Sequence, residues 1–157
     1  MNLLQLLGVG GVGGTETFTM ALVKGLIERG HQAVLVNTWT DSPLNAIAEA
    51  SGVPFVALPG GRRMIGPRWF RVVRRYLKCH SFDIVNTYGN RISLSLRLLQ
   101  RRCGVRHHVL GVRGLDVRRG RWDVMFDRRT EHFVDAIVCN SRAVAEKRRA
   151  VVGTPES

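Results

Sequence analysis

Five glycines fall within residues 8–14 of this 157-residue chain, directly after the apolar run from Asn2 to Leu7 and directly before Thr15 and Glu16. Glycine lets the main chain approach a ligand closely, and the unpaired N–H groups of a helix's first turn face an anion with a favourable dipole. The chemistry on offer is phosphate recognition by backbone. In one frame, Gly8, Gly10 and Gly13 fit the G-x-G-x-x-G of an NAD(P)-binding loop, which wants an acidic residue at the end of the second strand to hold the ribose hydroxyls. That strand ends instead at Asn37, with Thr38 and Trp39 next and Asp41 only afterwards. In the other frame the informative part is Gly13-Gly14-Thr15-Glu16, with Gly13 and Gly14 facing a donor phosphate. A flexible strand-to-helix turn is the third reading.

Other polar residues gather at similar places. Arg113 and Asp116 follow the apolar run ending at Val112; Arg113 would pair with a phosphate, or else with Asp116 in a surface ion pair of little energetic weight. Glu16 sits where a carboxylate either touches acceptor hydroxyls or complements a helix dipole. Asn86, Tyr88 and Asn90 form a further candidate group, and Ser141 suits the N-cap of a last helix. Cys79, Cys103 and Cys139 show neither C-x-x-C spacing nor paired histidines, so no metal site or disulfide framework is expected, the cysteines read as packing residues, and a reducing cytosol fits.

The elements that must position these residues follow from periodicity. Strands are expected at Asn2–Leu7, Ala33–Asn37, Pro54–Ala57, Asp83–Thr87, His107–Val112 and Ala136–Cys139, and helices at Thr15–Arg29, Pro43–Ala50, Pro67–Cys79, Arg91–Arg102, Arg121–Phe133 and Arg142–Ala150. Gly30 suits the left-handed position that ends a helix. Alternation of this kind predicts an α/β fold, a Rossmann-like doubly wound parallel sheet with helices on both faces. Ligands of such sheets bind beyond the carboxyl ends of the strands, which selects the loops at 8–14, 38–42, 58–66, 88–90, 113–120 and 140–141.

The chain carries 24 Lys and Arg against 12 Asp and Glu, a formal charge of +12. No acidic residue occurs between Glu49 and Asp83. Within that gap Trp69, Val72, Val73 and Tyr76 share one face of a predicted helix, and Arg71, Arg74, Arg75 and Lys78 occupy the other. The pattern fits either an anionic membrane surface or a solvated outer face. Nucleic acid is not an expected partner, because no recognised binding module accompanies the charge. No run approaches the roughly 20 apolar residues of a membrane span, and Met1 to Leu7 lacks the basic region of a signal peptide.

The stretch "GVGGVGGTETFTMALVKGLIERGHQAVLV" resembles the opening of the amino-terminal domain of glycosyltransferase family 4, the retaining enzymes of the GT-B fold. "FDIVNTYGN", "VLGVRGLDV" and "VDAIVCNSRAVAEKRR" are similar to later segments of that family, in the same order. Asn86 stands where a histidine is common, and Arg113 where many members have a histidine that contacts the transferred sugar. The resemblance implies sugar transfer from a nucleotide-diphosphate sugar to a hydroxyl of a glycan or lipid-linked acceptor, with retention and without a metal or other cofactor. It implies a catalytic role for Arg113, donor-phosphate contacts for Gly13 and Gly14, and acceptor contacts for Glu16, Asn86, Tyr88 and Asp116. It also implies a cytoplasmic protein, peripheral on the inner face of the membrane. Members carry a second domain that binds the nucleotide sugar, with two glutamates separated by seven residues, a spacing not found here. Residues 1–157 are therefore expected to be one acceptor-side domain, inactive without a carboxy-terminal domain or a second chain.

Overall fold

In the computed structural model, residues 1–59, 66–114 and 120–152 are described. Six strands, β1 (Asn2–Leu7), β2 (Gln32–Asn37), β3 (Phe55–Ala57), β4 (Ile84–Tyr88), β5 (His107–Val112) and β6 (Ala136–Cys139), alternate with six helices. The helices are α1 (Gly14–Glu28), α2 (Pro43–Ala50), α3 (Pro67–Cys79), α4 (Asn90–Cys103), α5 (Arg121–Thr130) and α6 (Arg142–Val152). All strand pairs are parallel, in the order β3-β2-β1-β4-β5-β6. The expected doubly wound α/β architecture is what the chain adopts.

A strand buried on both faces needs apolar side chains at successive positions, and β1 supplies them. Leu4 and Leu6 join Trp69, Val73 and Leu77 of α3 and Ile92, Leu96 and Leu99 of α4 in one core. Leu3 and Leu7 join Val23 of α1 and Leu44 and Ala48 of α2 in the other. Because the chain leaves β1 toward β2 and leaves β4 toward β5, the connections part between β1 and β4. That is where a crevice opens at the carboxyl ends of such a sheet.

Element ends differ from the expected ones for local reasons. Gly13 has extended backbone (φ −150°) and forms the N-cap of α1, so the helix opens at Gly14 rather than Thr15. At its other end Gly30 takes φ +79°; its N–H donates to the Ile27 carbonyl and that of His31 to the Leu26 carbonyl, the paired bonds of a glycine-terminated helix. The helix expected over Arg121–Phe133 stops at Thr130 and tightens into a 3₁₀ turn at Glu131–Phe133, while α6 runs two residues further than expected, to Val152. Of the cysteines, Cys103 is buried and Cys139 partly so, but Cys79 is exposed rather than a packing residue of the core.

Candidate functional site

A cleft of about 380 Å³ lies over the carboxyl ends of β1, β4 and β5, lined by Thr15, Glu16, Tyr88, Asn90, Gly111 and Arg113 among others. Three separated stretches of sequence meet there because the sheet order places β4 beside β1 and β5 beside β4.

Val9, Thr15 and Glu16 form one wall, and none of the glycines at 8–14 is among the lining residues. Gly10 to Gly14 are exposed. The Gly13 N–H donates to Glu16 Oε2 at 2.7 Å, so Glu16 closes the helix start on itself. The Gly13 amide is therefore engaged within the chain, whereas the Gly14 N–H has no partner among the described residues, and a Cβ at Gly14 would meet nothing within 4 Å. Glu16 is only 7% exposed yet borders the cleft.

Gly10 has a different use. A Cβ there would come within 2.8 Å of the Trp39 indole, so Gly10 lets the aromatic ring lie against the loop. Asn37 holds the same region from below: its Nδ2 donates to the carbonyls of Val9 and Trp39 and to Asn45 Oδ1, while its Oδ1 accepts from the N–H groups of Val9 and Trp39. Asn37 is fully buried. The residue at the ribose position of an NAD(P) site is thus consumed in binding the chain to itself.

Tyr88 forms the floor. Its side chain is 6% exposed, its hydroxyl donates to Gln5 Oε1 at 3.0 Å and it accepts from Asn86 Nδ2 at 2.9 Å. Burial pushes the Tyr88 phenol above its ordinary pKa, against the opposing pull of Thr19, Arg113 and Asn86. Asn86 also donates to Gln5 Oε1 at 3.0 Å. It is absent from the cleft lining and supports Tyr88 from within the sheet, a placement that does not bring it to an acceptor.

Arg113 closes the mouth. Its guanidinium carbon stands 3.4 Å from the centroid of the Phe18 ring and 5.6 Å from that of Tyr88. Its carbonyl accepts from Asn140 Nδ2 at 2.9 Å, which fixes the main chain beyond β5. No ion pair to Arg113 occurs among the described residues. Asp116, like loop residues 60–65, lies outside the described residues. Ser141 caps α6, accepting from the Val144 N–H at 3.3 Å.

Arg71, Arg74, Arg75 and Lys78 are elsewhere. They line a separate groove of about 790 Å³ between α3 and α4, together with Phe70, Leu98 and Arg102. Trp69, Val73 and Leu77 form the buried face of α3, with Val72 and Tyr76 partly covered beside them.

Two buried polar groups had no signal in the sequence. Asp127 of α5, fully buried, accepts from Arg97 of α4 at 2.7 Å and from Arg148 of α6 at 3.1 Å. Burial opposes its ionisation, but the two guanidinium groups hold the carboxyl below the usual carboxylate range. His108 of β5 bridges Thr87 Oγ1 and Gln100 Oε1, each at 2.9 Å. Nothing in an i, i+3 or i, i+4 pattern connects residues 8 to 30 positions apart.

Chemically, the cleft offers a guanidinium, a phenol, a carboxylate and the N–H end of a helix. No Ser, Cys or His is among its described lining residues. Such a set can bind and orient anionic and hydroxylated ligands. Among the described residues no three His, Cys, Asp or Glu side chains gather into a cation site, and no described helix is long and apolar enough to cross a membrane.

Comparison with known proteins supplies the remaining finding. The family model described as Glycosyltransferase Family 4 matches residues 12–157. No curated protein matches the chain in a sequence search. Among solved structures, HepE of Anabaena in complex with UDP is similar over 99% of this chain and 42% of its own, at 14% identity and TM-score 0.79. A glycosyltransferase from Rickettsia africae matches 99% of this chain and 40% of its own, at 15% identity and TM-score 0.76. MurG of Acinetobacter baumannii matches 100% and 44%, at 15% identity and TM-score 0.66. The chain spans less than half the length of these relatives.

Proposed function

The chain belongs to Glycosyltransferase Family 4, and from that membership we propose that it forms the acceptor-side half of a retaining glycosyltransferase. The enzyme would move a sugar from a nucleotide-diphosphate donor to a hydroxyl of a cell-envelope glycan or lipid-linked acceptor. The observation that carries this reading is the cleft over β1, β4 and β5, where the first turn of α1, at Thr15 and Glu16, and Arg113 border one space. Both suit the charge that grows on a departing phosphate.

In this scheme the bond between the sugar's anomeric carbon and the diphosphate oxygen breaks as the acceptor oxygen attacks from the same face. The acceptor's proton passes to the leaving phosphate oxygen. No protein nucleophile, metal or cofactor enters. Glu16 and Tyr88 would orient the acceptor, and the main nucleotide contacts would come from a second domain or chain; HepE, a structural relative, was solved in complex with UDP. The cations of α3 would hold the enzyme to the cytoplasmic face of a membrane where such acceptors lie.

An oxidoreductase reading has less to stand on, because the buried Asn37 amide leaves no group for ribose hydroxyls. The test is sugar transfer by the full-length enzyme, followed as release of the nucleoside diphosphate. Gly14→Ala is expected to lower kcat on the order of tenfold through misplacement of the phosphate while the melting temperature holds, since the added methyl meets no atom within 4 Å. Micromolar binding of NADH to this chain, or full transfer by Gly14→Ala, would overturn the proposal.

A further inference from the structure

We propose that Phe18 is a positioning residue, whose ring holds the Arg113 guanidinium at the mouth of the cleft so that its N–H edges meet phosphate oxygens. The inference rests on the anion-binding role of Arg113 proposed above and adds a residue that role requires.

Phe18 lies on α1, one turn after the glycine loop, and remains 42% exposed although it is a large apolar side chain. Core packing therefore does not account for its place. What it touches is Arg113, whose guanidinium carbon is 3.4 Å from the ring centroid. A guanidinium stacked flat on an aromatic face keeps all its N–H donors in the plane of the fork, free to bind an anion edge-on. The centroid of the Tyr88 ring lies 5.6 Å from the same guanidinium carbon. No carboxylate among the described residues competes for the donors.

The main chain is anchored too. The Asn140 amide fixes the Arg113 carbonyl, so the ring governs what freedom the side chain retains. A long flexible side chain loses much conformational entropy when a ligand immobilises it. A guanidinium already held by Phe18 has less to lose. The contact thus joins the first helix, which follows the glycine loop, to the loop after β5, which supplies the cation.

The ligand chemistry is a phosphate oxygen, and it has two sources, the donor's diphosphate and a phosphorylated acceptor. Inorganic pyrophosphate and methyl phosphate stand for them. Titration of this chain with both probes is expected to show Arg113-dependent binding, tighter for the probe that resembles the true source. Phe18→Leu weakens it about two- to fivefold, the range of an exposed cation–π contact, and Phe18→Tyr restores it. In an Arg113→Gln background Phe18→Leu has no further effect. The Arg113 Nε–H resonance carries an upfield ring-current shift in the parent chain and loses it in Phe18→Leu.

Equal affinity in Phe18→Leu and Phe18→Tyr, or an undiminished effect of Phe18→Leu in the Arg113→Gln background, would overturn the inference. Absence of the ring-current shift would overturn it alone, leaving the transferase reading intact. A normal shift with no binding of either probe would instead remove the anion-binding role of Arg113, and the inference with it.

Discussion

Gly111 and Tyr88 face each other across β5 and β4, and the pair shows how one missing side chain shapes the cleft. A Cβ at Gly111 would lie 2.6 Å from both Cδ1 and Cε1 of the Tyr88 ring. The ring cannot yield easily, because its hydroxyl is tied to Gln5 and Asn86. Gly111→Ala should therefore cost about 1–3 kcal/mol by overpacking, read as a lower urea midpoint with unchanged slope. Transfer activity should fall with it, since the floor of the cleft tilts. Gly14→Ala, with open space around it, provides the contrast: activity lost, stability kept. At this scale the sequence was partly legible. The glycine loop, Glu16, Tyr88 and Arg113 are recognisable by type and by their place after strands, but the fate of Asn86 is not. Its amide is spent on Gln5, 81 positions away, and no local pattern reports a partner at that distance. The engagement of the Gly13 N–H by Glu16 was closer to view, because a carboxylate three residues after an N-cap is itself a signature.

Among the elements, the strands and helices were readable because each buries a face with its own period, whereas the contacts that lock one element to another were not. The Arg97, Asp127 and Arg148 cluster joins α4, α5 and α6, and its members read in sequence as ordinary surface charges. His108 is the clearest case. Gln100 Oε1 calls for a hydrogen on Nδ1, and Nε2 faces the Thr87 hydroxyl, so the ring joins α4 to β4 through β5. Burial, reinforced by Arg97, lowers its pKa from 6.5 to about 4. The unfolded chain takes up this proton near pH 6.5 and the folded chain only near 4, so the unfolded state binds more protons between these values. Stability should fall as pH drops through that window, by up to about 3 kcal/mol once both forms are protonated. Urea unfolding at pH 7 and pH 4.5 measures the loss. A His108→Gln variant, which keeps polar contacts without a titrating group, should show a smaller difference between the two pH values; an equal difference would assign the acid sensitivity to other groups.

For the molecule as a whole, the excess of 12 positive charges is not spread evenly. From Glu49 to Asp83, and again from Asp83 to Asp116, the sequence contains no intervening acid, and α3 and α4, which these stretches form, lie side by side on one face of the sheet. The cleft is built chiefly from α1 and the loops beyond β4 and β5, so a surface that attracts the α3–α4 face need not cover it. Arg71, Arg74, Arg75, Lys78 and Arg102 rim the groove there, with Phe70 and the 63% exposed Leu98 between them. Cations around apolar side chains suit the phosphates and upper chains of an anionic bilayer better than they suit a duplex, which offers no apolar depth. Each basic residue near such a surface contributes about 1 kcal/mol, screened over a Debye length. The chain should accordingly sediment with vesicles containing phosphatidylglycerol and not with pure phosphatidylcholine. Replacing Arg71, Arg74 and Arg75 together by Gln should weaken that binding on the order of a hundredfold, and salt near 0.5 M should abolish most of it. The buried face of α3, Trp69, Val73 and Leu77, is untouched by these changes, so the fold should persist. Binding that survives the triple substitution, or that is matched by any duplex DNA at the same salt, would mean that the charge serves no particular surface.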